Sequence, residues 1–195
     1  MVTGLKISHL LLPSFFLLTI AAPAWATVLP DACGEDTAEF KVETQPAPLP
    51  LAAPEAGKAE IVFIETFDKT GFSFFSGQAT TRIGVDGAWV GANHGDSYFT
   101  VGVMPGEHHL CANWQSNSDS ERKKVGVTMF TAEVGKIYYY QVKITVRIHP
   151  GKPCGSKGTQ CGGYTERSLD LTELNEDDAK YRIKVSPQST ATPKY

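Results

Sequence analysis

Thr80-Thr81-Arg82-Ile83-Gly84-Val85-Asp86-Gly87-Ala88-Trp89-Val90-Gly91 is followed, five residues on, by Ser97-Tyr98-Phe99-Thr100-Val101-Gly102-Val103-Met104-Pro105-Gly106-Glu107-His108-His109-Leu110-Cys111-Ala112-Asn113-Trp114-Gln115, and these two runs decide the fold class. In the first, Asp86-Gly87 suits a tight type I′ turn, whose two central residues both need positive φ, and the flanking segments alternate as strands do. In the second, alternation climbs to Pro105-Gly106 and returns. The pattern predicts two consecutive β-hairpins, a meander. Nothing in it resembles an assembled reaction centre.

Working outward, Lys58 opens a stretch, Ala59-Glu60-Ile61-Val62-Phe63-Ile64-Glu65-Thr66-Phe67, that is apolar on both faces and reads as a strand covered on both sides. Asp68-Lys69-Thr70-Gly71 turns it, and Phe72-Ser73-Phe74-Phe75 reads as a short strand or an aromatic loop. Downstream, the polar loop 116–121 leads into Arg122-Lys123-Lys124, a solvated strand entry, and the next strand places Val125, Val127 and Met129 on one face. Residues 137–148 alternate most cleanly. Tyr138, Tyr140, Val142, Ile144, Val146 and Ile148 point one way, and Tyr139, Gln141, Lys143, Thr145 and Arg147 the other, giving a core face and a wet face. A glycine-rich loop over 149–163 precedes a short extended piece at 168–171. Asn175 then caps a helix whose first turn holds Glu176, Asp177 and Asp178 and whose later part holds Lys180, Arg182 and Lys184, matching the helix dipole. Tyr181 and Val185 are expected to face the sheet, with Ala179 or Ile183 beside them. The whole is mainly β: an antiparallel β-sandwich of about seven strands with one short C-terminal helix, over residues 58–186. Residues 27–57, with Pro46, Pro48, Pro50 and Pro54, read as a Pro/Ala-rich linker, and 187–195 as a disordered tail.

Lys6 followed by Leu10-Leu11-Leu12, Phe15-Phe16-Leu17-Leu18 and Ile20, then Ala22-Pro23-Ala24-Trp25-Ala26, reads as a signal peptide over 1–26, cleaved after Ala26. No later run is apolar enough to span a bilayer. The expected location is periplasmic or secreted. No small apolar run directly precedes Cys33, so lipidation there is not expected. Charge is near balance at −3, with both signs mixed along the chain, so neither nucleic acid nor anionic lipid finds an electrostatic footprint. The cysteines number four, an even count that in an exported chain argues for two disulfides. Of three connectivities, the glycines around Cys154 and Cys161 favour closing that short loop, which leaves Cys33 with Cys111. On loop entropy the short bridge is worth about 2.5 kcal/mol and the long one about 4.5 kcal/mol.

Ile83-Gly84-Val85-Asp86-Gly87-Ala88-Trp89-Val90-Gly91, Gly95-Asp96-Ser97-Tyr98-Phe99 and Met104-Pro105-Gly106-Glu107-His108-His109-Leu110, in that order, resemble bacterial envelope proteins of the domain of unknown function 2846 family. The likeness extends back to Gly57-Lys58-Ala59-Glu60-Ile61 and forward to Glu133-Val134-Gly135-Lys136-Ile137, covering residues 57–185. The hairpin is also similar to the PEGA-type β-domain of envelope proteins. The resemblance implies a small β-sandwich outside the cytoplasm and transfers no activity, ligand or catalytic residue. Many relatives look like lipoproteins; this chain departs from them there and in its Cys154 to Cys161 insertion.

Chemistry is sparse. His108 alternates with Leu110, Ala112 and Trp114 and should face the core; His109 lies on the face of Cys111 and Asn113, so the two point apart and cannot chelate one ion together. A zinc site from His109, His94 and a carboxylate would make a metal-dependent hydrolase, the alternative reading. No Gly-x-Ser-x-Gly elbow and no phosphate-cradling loop occurs. The chain is therefore expected to be no enzyme and to use no cofactor or metal. Its expected role is an exported β-sandwich module making protein or glycan contacts in the cell envelope. Trp89, Tyr98, Phe74 and Tyr139 are the candidate binding residues, as flat rings near turns or on the expected solvent face.

Overall fold

The computed structural model describes residues 29–45, 51–70, 79–154 and 160–194; the expected leader and Phe72-Ser73-Phe74-Phe75 lie outside them. In chain order the elements are β1 (Glu39–Thr44), β2 (Ala59–Thr70), β3 (Thr80–Val85), β4 (Ala88–His94), β5 (Tyr98–Val103), β6 (Gly106–Gln115), α1 (Asp119–Arg122), β7 (Val125–Ala132), β8 (Ile137–His149), β9 (Lys152–Pro153), β10 (Gln160–Cys161), β11 (Tyr164–Glu173), α2 (Glu176–Val185) and β12 (Ser189–Lys194). Two four-stranded sheets, ordered β11-β8-β2-β5 and β4-β3-β6-β7, face each other. Ile61, Phe63, Val142 and Ile144 from the first meet Ile83, Leu110 and Ala112 from the second, all fully buried. The mainly β, sandwich-like reading with a short C-terminal helix stands.

The first hairpin forms as its turn dictates: β3 and β4 pair antiparallel around Asp86 (φ 52°) and Gly87 (φ 83°). The second pair of runs does not form a hairpin. β5 pairs with β2 in one sheet while β6 pairs with β3 and β7 in the other, so Pro105-Gly106 is a corner between layers. Alternation specifies which side chains go inward, and a strand satisfies that equally well in either layer. The sandwich is also not wholly antiparallel. β2 and β8 run parallel at the centre of their sheet, because the chain crosses to the other layer and re-enters in its original direction. Such a pair is covered on both faces, as the all-apolar pattern of β2 requires.

That cover is α2. Val62, Ile64, Tyr98 and Tyr139 on the outer side of the sheet pack against Ala179 and Ile183. The Asn175 cap forms as expected, its Oδ1 accepting from the Asp178 N–H at 2.9 Å. The buried helix face differs from expectation: Ala179 and Ile183, one turn apart, are buried, whereas Tyr181 and Val185 are exposed. Tyr139 accordingly lies under the helix, and the face expected to be wet is dry at that end. The stretches expected to be linker and tail both carry strands. The supposed linker contributes β1 and the supposed tail contributes β12, which pair antiparallel from Glu39↔Lys194 to Thr44↔Ser189. Each offers the other the backbone partners that a lone strand lacks. The extended piece at 168–171 belongs to a ten-residue strand, β11, paired along β8.

Both expected disulfides are present, Cys33–Cys111 and Cys154–Cys161. Two cystines point to an oxidising, extracytoplasmic setting. Among the described residues, no helix is long and apolar enough to cross a membrane.

Candidate functional site

The outer face of β4-β3-β6-β7 carries Arg82, Cys111, Asn113 and Gln115, residues that alternation assigns to solvent. They are covered instead by the chain before β1. Cys33 is tied to Cys111, and Leu29, Ala32, Trp89 and Val125 pack around the bridge. Arg82 is 1% exposed beneath this arm. Its Nη1 donates to the carbonyls of Asp36 (2.8 Å) and Ala38 (2.6 Å). Its Nε donates to Asn113 Oδ1 at 3.1 Å, and Nη2 shares that acceptor. Asn113 Nδ2 donates in turn to the carbonyls of Arg122 and Lys124. Burial pulls the guanidinium pKa down, and the Asp36 and Glu39 carboxylates oppose that pull. Gln115 clips the arm further along: its Oε1 accepts from the Phe40 N–H at 2.7 Å and its Nε2 donates to the Phe40 carbonyl at 3.0 Å.

Trp89 lies where the β3–β4 ladder shifts register between Ile83 and Gly84, which sets it opposite Gly84 on the outer face. The Arg82 guanidinium stands 4.6 Å from its ring centroid, and its Nε1 donates to the Glu35 carbonyl at 2.7 Å. Gly34 rests against the ring so closely that a Cβ there would come within 2.4 Å of Cδ1. The indole is therefore fixed before any ligand arrives. It borders a groove of about 510 Å³ whose other walls include Phe40, Pro193, Glu35, Glu39 and Lys194, drawn from the arm and from both terminal strands. Lys194 Nζ pairs with Glu39 Oε2 at 3.3 Å between the two terminal strands. A second cavity, of about 280 Å³, lies among Glu121, Lys124, Tyr164, Glu166 and Arg167. There Tyr164 stacks on His149 at 4.3 Å between ring centroids.

Of the expected binding aromatics among the described residues, Trp89 is the one placed at a groove. Tyr98 is fully buried and Tyr139 is 7% exposed, both beneath α2, so they are core residues. Phe74 lies outside the described residues. The histidines are not brought together either. His94 sits level with Gln115 across Thr80, bonded to Thr80 Oγ1 at 2.9 Å, while His109 lies toward the opposite end of β6, near the Asp86-Gly87 turn. Core-facing His108 bonds Asp86 Oδ2 at 2.6 Å and the Met104 carbonyl at 2.7 Å.

Sequence reasoning missed Arg82, Asn113 and Gln115, because a polar residue on an alternating strand reads as wet. One signal was available. Cys111 shares that face, and a cysteine bonded to a residue far upstream brings chain across whatever face it occupies. Set against protein-family models, curated proteins and solved structures, the chain matches none of them.

Proposed function

We propose that the protein is an exported, non-enzymatic β-sandwich module of the bacterial cell envelope, acting by contact, and that the groove beside Trp89 holds a glycan. The observation that carries this reading is the prefixed indole. A flat apolar ring, immobilised by Arg82, Gly34 and Glu35 and bordered by two carboxylates and a lysine, matches the alternating apolar faces and hydroxyl rims of a sugar. A ring already held in place loses little entropy on binding. Two cystines and the resemblance to envelope β-domains support placement outside the cytoplasm.

Retention of the oxidised mature protein on purified peptidoglycan tests the reading. Trp89→Ala should weaken retention by about tenfold, the scale of one aromatic stacking contact. Glu35→Gln, which leaves the backbone bond to Trp89 in place, should weaken it less. Unchanged retention by Trp89→Ala, with an unchanged unfolding transition, overturns the reading.

A further inference from the structure

Glu65 has no part in the groove. It lies on the inward face of β2, fully buried, and neither carboxylate oxygen has a hydrogen-bond partner among the described residues. Burial holds its pKa well above the ordinary value; the nearby Thr81 hydroxyl works against that rise and the Asp96 charge adds to it. Thr81 is close enough to bias the carboxyl, yet no bond of normal geometry joins them, and Thr81 Oγ1 is also buried and unpartnered among the described residues. Orphaned buried groups cost about 1–3 kcal/mol each. Here a neutral-leaning acid and a hydroxyl are orphaned side by side.

Directly opposite Thr81 in the β3–β4 register stands Asn93, fully buried. Its carboxamide is held at both atoms: Nδ2 donates to the Phe63 carbonyl at 3.3 Å, and Oδ1 accepts from Ser189 Oγ at 2.8 Å. Opposed residues of an antiparallel pair point to the same face, with Cα atoms about 4.5–5.5 Å apart. An ester between Thr81 and Asn93 would put as many bonds between the two Cα atoms as a cystine does, and a cystine spans about 4.4–6.8 Å. The number of bonds suits the spacing of an opposed pair.

We propose that the chain joins Thr81 to Asn93 by an intramolecular ester, with Glu65 as the proton shuttle and Ser189 as the donor to the carbonyl oxygen. Thr81 Oγ1 attacks Asn93 Cγ. The hydroxyl proton passes to one Glu65 oxygen while the other oxygen delivers its proton to Nδ2. The Oγ1–Cγ bond forms, the Cγ–Nδ2 bond breaks, ammonia leaves, and Glu65 ends as the neutral acid it began as. No group is oxidised or reduced. Ser189 meets the negative charge that gathers on Oδ1 in the tetrahedral intermediate. A shuttle must reach both the hydroxyl and the amide nitrogen: Glu65 stands beside Thr81, neither of its oxygens is held by another group among the described residues, and the Phe63 carbonyl that holds Nδ2 lies two residues before it on the same strand. The dry interior then shields the ester from water. The link closes the end of the hairpin remote from the Asp86-Gly87 turn.

The test is the mass of the exported chain, with disulfides reduced and the N-terminus established by sequencing. The wild type should fall short of its sequence mass by one ammonia. Trypsin cuts after Arg82, so the peptides bearing Thr81 and Asn93 should emerge joined, and hydroxylamine should part them. Thr81→Val and Glu65→Gln should both return to full mass. Full mass in the wild type overturns the proposal without recourse to any variant. Ammonia loss that persists in Thr81→Val also overturns it, assigning the loss to cyclisation of Asn93 onto the His94 backbone nitrogen. Ammonia loss that persists in Glu65→Gln removes the shuttle.

Discussion

Part of each outer face of the sandwich is covered, by opposite means. Over β11-β8-β2-β5 the cover is α2, and the seam is apolar: Val62, Ile64, Tyr98 and Tyr139 against Ala179 and Ile183. Over β4-β3-β6-β7 the cover is the irregular arm running into β1, and beside the apolar packing at the cystine its seam is polar: Arg82 against the Asp36 and Ala38 carbonyls, Gln115 against the Phe40 N–H and carbonyl. A helix satisfies its own backbone, so an apolar stripe is enough to hold it down. An irregular arm brings unpaired backbone groups into the seam, and the sheet must answer them with side chains. The cystine adds what such a seam lacks, since polar bonds exchanged with water are worth only about 1 kcal/mol each.

The largest break in this comparison is Arg82→Ala. It strands Asn113 Oδ1 and the carbonyls of Asp36 and Ala38 under the arm, and should cost about 3–5 kcal/mol, read as a lower urea midpoint. A loss below about 1 kcal/mol would mean that water already reaches the seam. The sequence hid this residue for a physical reason. Alternation reports which face a side chain is on, but says nothing about what later settles on that face. The same gap explains β1 and β12. Glu39-Phe40-Lys41-Val42-Glu43-Thr44 alternates, yet it follows a loose stretch and precedes prolines, and its partner lies at the far end of the chain. By contrast, the β3–β4 turn, the Asn175 cap, the two-sided burial of β2 and both disulfides were legible, because each is written within a few residues or by cysteine count and glycine context. Trp89 was legible as a ring near a turn. Its fixing by Arg82 was not.

On the helix side, Ile183→Ala should cost about 2–4 kcal/mol in thermal or chemical unfolding, because it leaves a hole against Tyr98 and Tyr139. Tyr181→Ala should change stability by less than about 0.5 kcal/mol, since that ring is exposed. The pair checks helix rotation directly: were Tyr181 the packed residue, the two losses would exchange. Tyr181 and Val185 are one turn apart, and so are Ala179 and Ile183, so spacing alone did not choose between the two faces.

The finest contrast is in pH. The Asp86-Gly87 turn supports the arm through the Gly87 N–H bond to the Ala32 carbonyl, and Asp86 is held by His108 and by the His109 N–H. Burial pushes the His108 pKa down, but bonds to the Met104 carbonyl and Asp86 outweigh it, and the net direction is up from 6.5. A raised histidine pKa stabilises fully below 6.5, and that contribution is lost as pH rises through the higher folded value. For Asp86, burial pushes the pKa up, but the His109 N–H and His108 outweigh it, and the net direction is down from 3.8. Its contribution is present above 3.8 and is lost as pH falls through the lower folded value. The turn is therefore tightest between those limits. The stability difference between wild type and His108→Gln should be greatest near pH 5, about 1 kcal/mol or less for an ion pair this open to solvent, and should shrink toward pH 8. The His149–Glu166 pair of the other sheet lies at the far end of β8 from Tyr139 and α2, so amide exchange beneath the helix should keep its protection over that range while exchange at the Gly87 amide quickens. A stability difference that holds constant across pH would reduce His108 to a packing residue against Phe130 and leave the arm without an ionic latch.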